Sequence, residues 1–261
     1  MARKFIVVGD RFAKFAQLDG CISFSELQDK LEIVEFINDI EEGDRYYPGQ
    51  GILAEQIRTF IESIEAKGIS NYFTHWYSAC AHFKAGKELT HKHKAANGLV
   101  TEPKRLDSNT FELEISVDGK NEILSDHVSG LHLQGMLLIE AARQSFLTVT
   151  EKYFLPKVIS CHRYFIIQNI TADFLSFVFP VDAKIIYKIA DCDMANPLKL
   201  RFTSCIEIHQ GDIVVSSIRV VFSVYQKHCL ELKERSMAEQ CLKHHLNGLS
   251  DRPQFLAAAI S

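Results

Sequence analysis

The chain has 261 residues, 47% of them hydrophobic and 24% charged, with a formal net charge of -4. That is the composition of an ordinary globular protein of one large or two small domains. It lacks the bulk basic footprint of a nucleic-acid binder and any run of 18 apolar residues able to cross a membrane. Seven scattered cysteines, odd in number and without a CxxC pair, argue against a disulfide framework and against structural zinc, and lead us to expect a reducing cytoplasm.

The basic start MARKFIVVGDRF has too short an apolar core for a signal peptide, so it reads as a strand over residues 3–9. A short helix is expected from Phe12 to Leu18, and a second strand over 19–24. Ser25 is a candidate cap for a helix over ELQDKL, and LEIVEFI (31–37) reads as a third strand. Strands alternating with short helices predict a small α/β unit. Neither phosphate-cradling glycine fingerprint is present, which removes the basis for a nucleotide site. NDIEEGDRYYPGQG (38–51) reads as a loop. GILAEQIRTFIESIEAKG (51–68) is an amphipathic helix stopped at Gly68, with Glu55 and Arg58 spaced as a surface ion pair. The aromatic stretch 68–90 reads as a connector.

LTHKHKAANG (89–98) gathers His91, Lys92, His93 and Lys94. It is a solvated basic loop or a contact for an anionic group; two histidines without an acidic third ligand do not make a metal site. Strand-like runs follow over 98–103 and 109–124, broken by an Asp118-Gly119 hairpin signal. A long helix runs from Gly135 to about Tyr153. Four segments rich in Ile, Val, Phe, Thr and Tyr then read as long antiparallel strands, the last two joined at Gln210-Gly211-Asp212. A terminal helix covers 230–248.

The long helix, GMLLIEAARQSFLTVTEKYF, is apolar in nearly every direction, which predicts burial. Glu140, Arg143 and Gln144 nevertheless share one stripe of it. Burying charge costs several kcal/mol per ion, roughly, so that stripe needs a reason. A helix covered on all sides is supplied by a curved antiparallel sheet wrapped around it. The expected fold is therefore α+β, a hotdog fold with a long central helix, preceded by a small N-terminal α/β unit. The expected divisions are 1–85, 86–228 and 229–261. Edge strands left by a wrapped sheet point to a homodimer.

The residues Asp126-His127 and His132-Leu-Gln-Gly135-Met-Leu-Leu-Ile-Glu140-Ala-Ala-Arg143-Gln144 resemble the motif of the A-factor biosynthesis hotdog family, which reads H-x-x-G-M-V/L-L-x-E-A-A-R-Q. THKHKAANGLVTEP (90–103) is similar to that family's segment before the sheet. Two features depart from it. Many members carry two hotdog repeats where this chain has length for one, although ILAEQIR (52–58) is similar to the first repeat's helix motif. Many also have proline where this chain has Gln134.

The resemblance implies transfer of a β-ketoacyl group from an acyl carrier protein or CoA thioester to the hydroxyl of a small phosphorylated alcohol, dihydroxyacetone phosphate, on the way to a butyrolactone signal. It implies no cofactor beyond the carrier's phosphopantetheine or CoA. Such a transfer needs a base, oxyanion donors and a counter-charge for phosphate. Glu140 is the candidate base, with burial expected to raise its pKa and Arg143 to lower it. Arg143 is placed to bind phosphate or to hold Glu140. His127 and His132 are candidates to act as acid or to position substrate. Gly135 opens the helix N-terminus to a carbonyl oxygen. Gln134, Gln144, Asp126 and Lys94 complete the expected substrate-binding set, Asp126 also as a cap or turn into the motif. Structural roles for the Glu140–Arg143 pair and for both histidines stand as the alternative. Two other functions remain open: a dehydratase or thioesterase of the same fold, and a non-catalytic acyl-binding or assembly module docked through the N-terminal unit.

Overall fold

A computed structural model describes residues 2–81, 84–126, 130–155 and 163–250. The N-terminal part is a three-stranded parallel sheet in the order β2-β1-β3, formed by β1 (Lys4–Val8), β2 (Cys21–Ser23) and β3 (Arg45–Pro48). Around it lie α1 (Phe24–Leu31), α2 (Val34–Asn38), α3 (Ala54–Ala66) and α4 (Thr74–Ala81). Phe24, Phe60, Phe73 and Trp76 form its aromatic core.

Several local expectations change here. The segment expected as a helix from Phe12 begins instead as a 3-10 turn over Asp10–Phe12. The cap of α1 is Ser23, whose hydroxyl accepts from the Glu26 N–H; Ser25 bonds Asp10 instead. LEIVEFI is no strand: Leu31 ends α1, Glu32 and Ile33 link the helices, and Val34–Ile37 lie in α2. Its β-branched Ile33 and Val34 lie on the surface, while Phe36 and Ile37 reach the core, so side-chain placement overrides strand propensity. The 38–51 loop contains β3, because Tyr46 is buried and pairs with Phe5 on the sheet. Glu55 pairs with Lys120 at 2.6 Å, where the spacing pointed to Arg58.

The second part contains α5 (Lys87–Thr90), β4 (Lys104–Arg105), β5 (Thr110–Glu114), α6 (Glu122–Ser125) and α7 (Gly135–Tyr153). Then come β6 (Arg163–Phe174), β7 (Lys184–Asp193), β8 (Lys199–Gln210), β9 (Ile213–Gln226) and α8 (Lys227–Ser250). The sheet is antiparallel in the order β4-β5-β7-β8-β9-β6. Asp118-Gly119 leads into α6 rather than turning a hairpin, with buried Asn121 capping that helix through Ile123 and Leu124 N–H. Gly211, at φ 58°, makes the expected β8–β9 turn.

The long helix lies where its pattern puts it, packed on the core face of the sheet. Phe146 stacks on Phe222 at 4.3 Å, and Leu137, Leu138, Ala141, Ala142, Leu147 and Val149 are buried. It is not covered all round: Met136, in its first turn, is 64% exposed beside the buried Leu137 and Leu138.

The two parts are joined by the PGQG segment (48–51). Gln50 donates from its side chain to Ile115 O (3.0 Å) and accepts from Val117 N (2.7 Å), while its own N–H bonds Pro180 O (2.9 Å). Glycine is required at this seam, since a Cβ on Gly9 would lie 1.9 Å from Gly51 O. Val8, Phe12 and Phe15 join the main core, and Phe15 N bonds Gly130 O (3.0 Å) in the segment entering α7. The N-terminal part thus buttresses the approach to the long helix.

Strand β6 is an edge. Through the bulge between Ile167 and Asn169, its Phe165, Ile167, Ile170, Ala172 and Phe174 stand opposite the buried Val224, Phe222, Val220, Ile218 and Ser216 of β9. They therefore share the core face, yet Ile167, Ile170 and Phe174 remain 40%, 37% and 51% exposed. Among the described residues nothing covers this end of the core face.

Candidate active site

Glu140, Arg143 and Gln144 sit on one face of α7 because residues three and four apart align on a helix. They form a single hydrogen-bonded group. Arg143 grips Glu140 with two bonds, Nε to Oε2 (2.8 Å) and Nη2 to Oε1 (2.9 Å). Gln144 Nε2 donates to the same Oε1 at 3.0 Å. A third donor comes from outside the helix: Lys92 Nζ lies 2.8 Å from Glu140 Oε1.

Desolvation pushes the Glu140 carboxyl up, but the hydrogen bonds from Arg143, Lys92 and Gln144 outweigh it and hold it at about 2. That differs from the expected rise toward the range of a general base. The anticipated opposing effects are both present, and the cations win because there are two of them. Glu140 is a fixed carboxylate, and with Lys92 and Arg143 around it the group carries one net positive charge. Its side chains are not sealed off, with Glu140 15%, Lys92 26% and Arg143 28% exposed.

The other expected site residues divide sharply. Gln144 is fully buried, and its remaining capacity is taken by Leu99 N (2.7 Å to Oε1) and Asn97 O (2.9 Å from Nε2). It ties the 97–99 segment to α7. Lys94, expected at the substrate, pairs with Glu122, which also accepts from Asn97 Nδ2 at 2.8 Å. Lys92, two residues earlier, is the lysine of this run that reaches Glu140. The HKHK run contained both lysines, and only tertiary packing distinguishes them. Asp126 is exposed at the C-terminal end of α6, where its N–H bonds Glu122 O; it caps nothing at the start of α7. His127 lies outside the described residues.

His132 is half-buried with its ring 4.8 Å from that of Phe177. Gln134 is the N-cap of α7 but makes no side-chain cap; its Nε2 donates to Ile123 O. The first-turn N–H groups therefore keep no side-chain acceptor from the cap residue. Phe174 lies over Gly135, and a Cβ there would meet its ring at 2.9 Å. Gly135 and Glu140 are separated by five residues, about 7.5 Å along the axis. Gly135 and the charged group thus lie over a turn apart along the helix and point in different directions around it.

Among the described residues no cluster of three or more His, Cys, Asp or Glu side chains could hold a metal, and no helix is long and apolar enough to cross a membrane.

Comparison with solved structures gives distant likenesses. A mutant thioesterase from Pseudomonas aeruginosa has a TM-score of 0.36 at 14% identity, over 49% of this chain and 81% of its own. A thioesterase from Haemophilus influenzae has 0.37 at 15%, over 56% and 95%. A protein from Helicobacter felis, homologous to HP0420, has 0.37 at 14%, over 53% and 88%. Comparison with curated proteins finds no match. The family model of the A-factor biosynthesis hotdog domain matches residues 79–226, from the last turn of α4 to the final residue of β9. That span is more than half of the chain and contains the long helix, its polar stripe and the whole antiparallel sheet, so the chain belongs to the A-factor biosynthesis hotdog family.

Proposed function

We propose that this protein is a hotdog acyltransferase. It moves a β-ketoacyl group from an acyl carrier protein or CoA thioester to the hydroxyl of a phosphorylated alcohol such as dihydroxyacetone phosphate, in the making of a butyrolactone-type signal. The observation that carries the reading is the Glu140–Arg143–Lys92 group on the family's helix motif, a charged cluster on an otherwise apolar helix.

The transfer forms a C–O bond between the acceptor hydroxyl and the thioester carbonyl carbon, passes through an oxyanion, and breaks the C–S bond. The hydroxyl proton leaves with the thiol. Glu140 Oε2, which receives only Arg143 Nε among the described residues, accepts a hydrogen bond from the attacking hydroxyl and orients it. A carboxyl held at about 2 is too weak a base to keep that proton at neutral pH, so Glu140 aligns the nucleophile. The net positive charge of the group faces the phosphate or the developing oxyanion. Gly135 and the uncapped first turn of α7 supply further donors for the carbonyl oxygen.

The uncovered core face of β6 supports a homodimer. An unpaired edge strand and a strip of apolar side chains continuous with the core resemble a domain core cut in half, the character of obligate interfaces.

Mass spectrometry of acyl-thioester reactions, with and without dihydroxyacetone phosphate, tests the activity. An acyl ester formed only with the acceptor is expected. Free acid released equally without acceptor would make the protein a thioesterase, and an enoyl product a dehydratase. Acyl binding without turnover would leave an acyl-binding module.

A further inference from the structure

Lys92 reaches Glu140 by an unusual backbone turn. The preceding residue, His91, has φ 55°, the one positive value on a non-glycine side chain among the described residues. Such a conformation is uncommon for a residue that carries a side chain and persists where the surroundings enforce it. Here the surroundings are specific. His91 Nε2 lies 2.9 Å from Glu151 Oε1, and the ring stands edge-on to Phe165 of β6 at 5.3 Å. Glu140 and Glu151 are eleven residues apart, about three turns, so they share a face of α7. Residues 91 and 92 therefore form a strap fastened to α7 at two carboxylates, with the left-handed turn between α5 and Lys92 directing the amine to Glu140.

The strap makes the two Glu140 oxygens unequal. Among the described residues, Oε1 receives Lys92, Arg143 Nη2 and Gln144, and Oε2 receives Arg143 Nε alone. We propose that Lys92 is a positioning residue for the transfer: it pins Glu140 Oε1 and leaves Oε2 as the oxygen that meets the acceptor hydroxyl. This rests on the acyl-transfer reading of the site. The neighbouring elements leave Lys92 the principal charge brought to Glu140 from outside α7. Glu122 of α6 is paired with Lys94 and also feels the charge of Lys92, and Lys87 and Glu88 of α5 are exposed. Within α7, Glu151 is paired with His91. The strands facing α7 present Phe165, Ile185, Ile189, Ile218, Val220 and Phe222, together with Tyr187, which is bonded to Ser204.

The test uses the full chain labelled with carboxyl-13C glutamate, the Glu140 signal being assigned by its loss in Glu140→Gln. Lys92→Met and Lys92→Gln replace a side chain outside the hydrophobic core, and Lys92→Arg retains the charge. The expected result is a Glu140 titration midpoint at least about one pH unit higher in both neutral variants, a tenfold change in proton affinity. The acid limb of the transfer rate should move with it, and Arg should restore both. An active wild type whose Glu140 midpoint is unmoved in the neutral variants, or not restored by Arg, overturns the role of Lys92 alone. A wild type inert in acyl transfer overturns the functional reading and the role of Oε2 with it, whatever the titrations show.

Discussion

Gln144 gives the sharpest division between a binding residue and a structural one. Its side chain is fully buried and makes three hydrogen bonds: from Leu99 N–H, to Asn97 C=O and to Glu140 Oε1. Gln144→Leu keeps the approximate volume and removes all three. The Leu99 N–H, in a fully buried residue, and the half-buried Asn97 carbonyl lose their partner. A buried polar group stripped of its partner costs about 1–3 kcal/mol. Two such groups, offset by roughly 1 kcal/mol from the apolar replacement, give a net loss of about 1–5 kcal/mol. For a chain of this size that lowers Tm by roughly 2–20 °C. Thermal unfolding followed by circular dichroism measures it. A variant melting within about 1 °C of wild type but binding substrate poorly would return Gln144 to the substrate and refute the structural assignment.

The acid stability of the fold should carry the signature of Glu140. Its pKa falls from the ordinary glutamate value of 4.5 to about 2 in the fold, so its contribution is present above the higher value and is lost as pH drops through the lower one. Wild type should lose up to about 3 kcal/mol between pH 5 and 2 from this group, less by solvent screening of a partly open site. Glu140→Gln should start lower at neutral pH, with Lys92 and Arg143 deprived of their counter-ion, and should lack that part of the acid loss. Parallel denaturation curves against pH in the two proteins would contradict the ion network. Ile170→Lys puts a charge on the uncovered face of β6 and should convert a dimer to a monomer in light scattering without unfolding it. A wild type already monomeric at micromolar concentration would remove the dimer.

The second half of the fold was legible because its signals are long and local. The helix over Gly135–Tyr153 and the four strands from Arg163 to Gln226 have periodicities sustained over ten or more residues. The N-terminal part was less so. Residues 31–37 have the β-branched content of a strand and fold as the end of α1, a link and most of α2, and β3 lies in a polar stretch read as loop, because a four-residue strand is set by pairing with β1 rather than by its own pattern.

The sequence by itself determined that a charged group would sit on a buried helix. The spacing of Glu140, Arg143 and Gln144 on a 3.6-residue period leaves no other arrangement once the helix forms. It could not determine what that group does to itself. Whether Glu140 is raised by burial or lowered by cations depends on distances of a few ångströms across the fold, and Lys92 comes from a segment nearly fifty residues away. The same long-range packing took Gln144 to the 97–99 segment, sent Lys94 to Glu122, and left the apolar face of β6 without a cover. Helix periodicity is written in neighbouring residues, while charge balance is decided by whichever side chains the folded chain brings together.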